Sequence, residues 1–191
     1  MSNILINIKG LDSQELPKGV TPLQIMHETK GISKESVICK VDGQLTDLSA
    51  ELLNDCELQF MDAKSKDGHS VLLHSTAHLM AQAVKRLFPK TKVTIGPYLD
   101  NRFYYDFDVE TPFTEEDLSK IEDEMLKISN ENLEIVHEVK SRDEAIKYFD
   151  KIGENYKVEI INDLDKDETL KMYVLSLCIG PHYKIMADFI N

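Results

Sequence analysis

Cysteine is scarce in this chain, and positive charge falls well short of negative. Only Cys39, Cys56 and Cys178 occur among 191 residues. Thiols so few and so scattered exclude a disulfide framework and point to a reducing, cytoplasmic compartment. No apolar run approaches the ~18 residues that a membrane-spanning helix needs, so no membrane partner is expected. Met1-Ser2-Asn3 opens neither the basic start nor the apolar stretch of a secretion signal. Against 34 acidic residues stand 22 lysines and arginines, a formal charge of −12. That balance excludes a general nucleic-acid-coating protein, which would carry a basic footprint. A phosphate-cradling loop is also missing, because neither Gly96-Pro97 nor Gly180-Pro181 has the required glycine spacing and lysine. There is no internal repeat and no low-complexity tract.

What is present suffices for a packed core: 42% of residues are hydrophobic and 29% charged, the balance of an ordinary globular chain. Ile4 to Ile8 and Gln14 to Leu16 read as strands. Thr21-Pro22 reads as a helix cap and first-turn proline, with Leu23, Met26 and His27 toward a core. Ser36 to Val41 is a strand ending in the hairpin signal Asp42-Gly43, and Glu57 to Met61 closes the segment. The polar, aperiodic run Asp62 to Gly68 reads as a linker. A long helix is expected from Ser70 to Phe88, with Leu73, Ala77, Met80, Ala81, Val84, Leu87 and Phe88 as its stripe. Beyond it come strands at Val93–Ile95, Phe103–Asp108, Glu134–Val139, Val158–Ile161, Leu170–Leu177 and Tyr183–Phe189. Helices capped by Thr114 and by the Ser141–Glu144 capping box lie between them. The expected class is α+β: a small β-grasp (ubiquitin-like) domain over residues 1–62, a linker over 63–69, and a larger α+β domain over 70–191.

The chemistry-bearing residues fall in two short patterns. In His74-Ser75-Thr76-Ala77-His78, the imidazoles at i and i+4 share a helix face. In Cys178-Ile179-Gly180-Pro181-His182, a thiol and a third imidazole flank a turn. His74, His78, Cys178 and His182 together form a candidate tetrahedral zinc set, and equally a set that could position a water or grip a polar substrate. Serine at position 75 sets the first pattern apart from the metalloprotease motif, which needs a glutamate there. Tyr104, Tyr105 and Asp106 lie on one expected strand, so Tyr105 faces away from the other two. Lys157 opens an expected strand and is a candidate cation for developing negative charge. Lys85, Arg86, Lys90 and Lys92 cluster at the long helix's end. They read first as a solvated helix terminus and second as a phosphate contact.

The motifs His74-Ser-Thr-Ala-His78-Leu79, Ile95-Gly96-Pro97, Phe103-Tyr104-Tyr105-Asp106, Tyr156-Lys157-Val158-Glu159 and Leu177-Cys178-Ile179-Gly180-Pro181-His182 occur in that order over nearly the full chain. Through them the chain resembles the N-terminal region of bacterial threonyl-tRNA synthetase. The resemblance implies a TGS domain followed by an editing (second additional) domain related to that of alanyl-tRNA synthetase. It implies hydrolysis of mischarged seryl-tRNA(Thr), with the tRNA(Thr) 3′ end as partner. A site that accepts threonine cannot exclude the smaller serine, since one methyl-sized group gives only ~1–3 kcal/mol of discrimination. Carried over by motif, His74, His182 and Lys157 are expected to be catalytic, and His78, Tyr105, Cys178 and Ser176 to line the substrate pocket. The alanyl relatives hold zinc on the pattern of His74, His78, Cys178 and His182, whereas the threonyl pocket is read as working without a cofactor. ATP and Mg belong to domains outside this chain.

One stretch departs from the family. The Tyr173-to-Cys178 run is shorter, and Ser176 stands where the family carries an aspartate. A hydroxyl can accept a hydrogen bond from a substrate ammonium but offers no opposite charge. The expected alternative is a non-catalytic or regulatory module. The same pairing precedes a uridine-kinase-like domain in some bacterial proteins.

Overall fold

A computed structural model of the chain describes residues 2–96, 98–99, 101–131, 135–165, 170–175 and 187–188, with backbone alone for 98–99, 135–140, 170–175 and 187–188. The fold is mixed α and β. It divides into two compact units, Met1–His74 and Ser75–Asn191.

The first unit is built on β1 (Asn3–Ile8), β2 (Gln14–Pro17), α1 (Pro22–Glu28), β3 (Ser36–Val41), β4 (Gln44–Thr46) and β5 (Cys56–Asp62). Its sheet runs β2-β1-β5-β3-β4. β1 and β5 are parallel neighbours at its centre, and the other pairs are antiparallel. Strict alternation makes β1 one-sided: Ile4, Ile6 and Ile8 are buried and the residues between them exposed. They pack with Ile25 of α1, Cys39, Leu52, Cys56 and Leu58. Each such buried aliphatic side chain contributes about 1.5–3 kcal/mol of transfer free energy. Thr21 and Gln24 close a reciprocal capping box over α1. That box aims Ile25 and Met26 inward, while Leu23 and His27, expected in the core, are exposed. Asp42 and Gly43 form the predicted two-residue hairpin, both at positive φ.

The expected linker is mostly helix. β5 ends at Asp62 and α2 (Lys66–Leu87) starts four residues later. Ser65 is the cause. Its hydroxyl accepts the Gly68 N–H at 3.1 Å and donates to the Asp62 carbonyl at 2.7 Å, and its carbonyl accepts the His69 N–H. A serine cap thus converts a polar run into a first helical turn. Gly68 allows that turn to press on the strand end, since a Cβ there would lie 1.9 Å from the Asp62 carbonyl oxygen.

The second unit continues along α2 into β6 (Lys92–Val93), β7 (Tyr98–Leu99), β8 (Arg102–Phe103), β9 (Phe107–Asp108), α3 (Glu115–Asn130), β10 (Ile135–Lys140), α4 (Arg142–Lys151), α5 (Asn155–Asp163), β11 (Leu170–Leu175) and β12 (Ala187–Asp188). β10, β11 and β12 form an antiparallel sheet, and β6-β9 and β7-β8 are short two-stranded ladders. Thr114 with Asp117, and Ser141 with Glu144, close the expected capping boxes of α3 and α4. Ala83 and Val84 of α2 pack on Ile121 and Ile128 of α3, whereas Leu118, expected on that inner face, is exposed. Ala145, Phe149 and Ile161 join α4 to α5.

The expected strand Val158–Ile161 is instead α5. Tyr156, Val158 and Ile160 alternate like a strand, but the fully buried positions are Glu154, Lys157 and Ile161, at helical spacing. Two of those three are charged, so the hydrophobic pattern concealed the period.

Candidate functional site

α2 places His74 and His78 one turn apart on a continuous helix, as the i, i+4 spacing requires. His74 is half-buried and is the last residue of the first unit. His78 is buried, on the same helix as Ala77 and Ala81, which have no exposed surface. Small side chains at those two positions let Val93 and Tyr105 approach the helix. The Tyr105 ring meets the His78 ring edge-on at 6.3 Å and stacks on Phe107 at 5.0 Å. Gly96 closes the other side, because a Cβ there would fall 2.1 Å from the Tyr105 ring. The Ile95-Gly96-Pro97 motif is therefore more than loop chemistry: its glycine seats the tyrosine.

Tyr104, Tyr105 and Asp106 lie between β8 and β9 rather than within a continuous strand. The expected alternation nevertheless holds, with Tyr105 buried and Tyr104 and Asp106 exposed. Backbone bonds from Thr94 N–H to the Asp106 carbonyl and from Asp106 N–H to the Ile95 carbonyl keep the segment extended.

Lys157 comes to this tyrosine from the first turn of α5. It is only 5% exposed, its Nζ lies 3.5 Å from the Tyr105 hydroxyl oxygen, and it stands 6.0 Å from the ring centroid. A lysine is rarely buried without a polar partner. Here the phenol oxygen accepts from it. His78, Tyr105 and Lys157 thus converge within the second unit, with an aromatic acceptor between an imidazole and an ammonium.

Cys178, His182 and Ser176 lie outside the described residues. The same holds for two of the four candidate zinc ligands. Among the described residues no group of three or more His, Cys, Asp or Glu side chains is arranged to hold a metal ion.

Sequence reasoning missed a second charged cluster. Lys85 pairs with Glu154 at 2.7 Å, with side-chain exposures of 12% and 4%. Arg86 donates to Glu131 at 2.6 and 2.7 Å and to Glu124 at 3.2 Å. Those bonds hold the Glu131 carboxyl below the ordinary glutamate range and raise the guanidinium still further. Two of the four clustered cations are therefore neither a solvated helix end nor a phosphate contact. Gln82, one turn beyond His78, was also missed: it is buried, and neither end of its amide has a hydrogen-bond partner among the described residues.

No protein-family profile matches the chain. Curated proteins do. A threonine–tRNA ligase of Alkalilimnicola ehrlichii is 48% identical over 157 residues, 80% of this chain and 24% of the relative. One from Symbiobacterium thermophilum is 44% identical over 174 residues, 88% of this chain and 27% of the relative. A third, from Pelobacter propionicus, is 44% identical over 187 residues, 95% of this chain and 29% of the relative. Over nearly its whole length, the chain is a relative of the threonine–tRNA ligases. It spans 24–29% of the length of these three ligases. The relation to threonine–tRNA ligases rests on sequence. No helix among the described residues is long and apolar enough to cross a membrane.

Proposed function

We propose that this chain is the TGS and editing region of a cytoplasmic threonine–tRNA ligase, and that residues 70–191 hydrolyse seryl-tRNA(Thr). One observation carries the reading: a lysine is buried at 5% exposure beside the hydroxyl of a tyrosine whose ring meets a buried histidine, in a chain related to these ligases. A fold that needed only stability would fill such a place with apolar side chains. The first unit is read as a β-grasp domain, supported by its β2-β1-β5-β3-β4 order around a parallel central pair.

In this mechanism water attacks the carbonyl carbon of the seryl ester. His74 and His182 position that water and accept its proton. The carbonyl oxygen gains negative charge as the tetrahedral species forms, and the Lys157 ammonium stabilises it. Collapse breaks the ester C–O bond, releases serine and returns a proton to the ribose oxygen. His78, Tyr105, Cys178 and Ser176 line the pocket that admits serine and excludes the extra methyl of threonine. The proposal is metal-free. The ammonium at Tyr105 already supplies positive charge, and a dication on the His78 side would face that repulsion. Metal analysis of the purified protein is then expected to give far less than one zinc per chain, and near-stoichiometric zinc would reject this part.

The test is deacylation of purified seryl-tRNA(Thr) and threonyl-tRNA(Thr) by this chain. Serine release with threonine spared is expected. No release at high enzyme concentration, even with the rest of the synthetase supplied, would sink the reading. Ser176 at the family's aspartate position favours a second reading, a non-catalytic regulatory module. It predicts that His74→Ala leaves cellular function intact while deletion of residues 1–62 does not.

A further inference from the structure

The start of α5 is held in an unusual way. Glu154 occupies the N-cap position, yet its side chain makes no capping bond. Its carboxylate turns instead to Lys85 at 2.7 Å and accepts the Val93 N–H at 3.4 Å. Lys85 also donates to the carbonyls of Thr91 at 2.8 Å and Pro89 at 3.2 Å. The three donors of one ammonium are thereby matched to three acceptors on two segments, the turn after α2 and the start of α5. The Glu154 backbone joins the same node: its N–H donates to the Phe149 carbonyl at 2.9 Å, and its own carbonyl accepts Lys157 N–H at 3.1 Å and Val158 N–H at 3.4 Å.

This node lies between the two groups that must meet. Lys157 is one turn along α5 from Glu154. Tyr105 belongs to the segment bonded to the strand end that follows β6, through Thr94 and Ile95. Holding Glu154 to Val93 and Lys85 therefore fixes where the Lys157 ammonium stands against the Tyr105 hydroxyl. We propose that Lys85 and Glu154 form a positioning pair for Lys157, setting the ammonium's place in the hydrolytic pocket rather than touching substrate. The role in hydrolysis rests on the function proposed above; the geometric role does not.

Cost supports this assignment. Bringing a carboxylate to 4% exposure and an ammonium to 12% carries a desolvation penalty that apolar replacements would avoid. What the pair adds over an apolar contact is direction, because three-fold donation by Lys85 tolerates little drift.

The experiment compares Glu154→Gln with Glu131→Gln in the full chain. Glu131→Gln removes another ion pair from the same end of α2, that of Arg86, and serves as control. The first readout is the rate of reductive methylation of Lys157, mapped by mass spectrometry, which needs no substrate. Glu154→Gln is expected to speed labelling of Lys157 about tenfold or more, with Glu131→Gln near wild type. The second is deacylation, where a displacement of about 1 Å costs on the order of a hundredfold. Glu154→Gln should lower kcat about ten- to a hundredfold with little change in KM, and add little in a Lys157→Ala background. If Glu154→Gln does not fold, Lys85→Gln carries the same comparison. Unchanged Lys157 labelling in the folded variant, or equal acceleration in both variants, overturns the proposal. A wild-type chain that fails to deacylate while the labelling result holds would refute the hydrolytic reading and leave the positioning role standing.

Discussion

Tyr105 is held by contacts that permit little substitution. Its ring lies on the bare Cα of Gly96, between His78 and Phe107. Gly96→Ala would put a methyl carbon 2.1 Å from the ring, so the ring must move. The expected loss is about 1–3 kcal/mol of stability, read from urea melts, because overpacked sites force shifts of that cost. An unchanged midpoint would show that the glycine is not pressed by the tyrosine. Gln82 poses the opposite case. A buried amide without partners costs about 1–3 kcal/mol, so Gln82→Leu should raise the melting temperature or leave it unchanged. A fall instead would reveal that the amide is bonded in the folded protein.

At the scale of elements, the helices are decided by their ends. Ser65 starts α2 inside a run that composition assigns to a linker. Ser65→Ala should cost about 1 kcal/mol in chemical denaturation, the usual value of a lost N-cap, and a neutral result would remove the cap argument. Where α2 ends, Arg86 binds Glu131 of the α3 C-cap and Glu124 within α3. The Glu131 carboxyl is depressed chiefly by its hydrogen bond to Arg86. The unfolded chain therefore binds the proton at higher pH than the fold does. The stabilisation is present above the unfolded glutamate range and is lost as pH falls through the lower, folded value. Glu131→Gln should flatten the acid side of a stability–pH curve measured from pH 2 to 6, and an unaltered acid limb would refute the linkage. α5 shows the limit of reading elements from pattern. Its alternating Tyr156, Val158 and Ile160 imitate a strand, while its buried face contains Glu154 and Lys157, which no hydrophobic period can register.

For the whole molecule, a charge of −12 means that any contact with a polyanion depends on local cations. Lys85 is not one of them, because its ammonium is turned to Glu154. In filter binding to tRNA, Lys85→Gln should leave the slope of log K against log salt unchanged. A reduction of about one unit would show that Lys85 neutralises a phosphate. The thiols tell a similar story of interior placement. Burial is the main cause that pushes the Cys39 thiol up to about 12, and Cys56 is raised for the same reason, so neither is a reactive group. The sequence by itself determined the local features: the period-2 burial of β1, the Asp42-Gly43 hairpin, three side-chain helix caps, and the shared helix of His74 and His78. Each depends on neighbours within a few residues, whose propensities and spacings are written in the chain. Only the tertiary structure decided that Lys157 sits on a helix against Tyr105, that Gly96 seats that ring, and that Lys85 pairs with Glu154. Those contacts join residues 9 to 69 positions apart. Their energy comes from desolvation and partner geometry, which no local pattern of polar and apolar residues encodes.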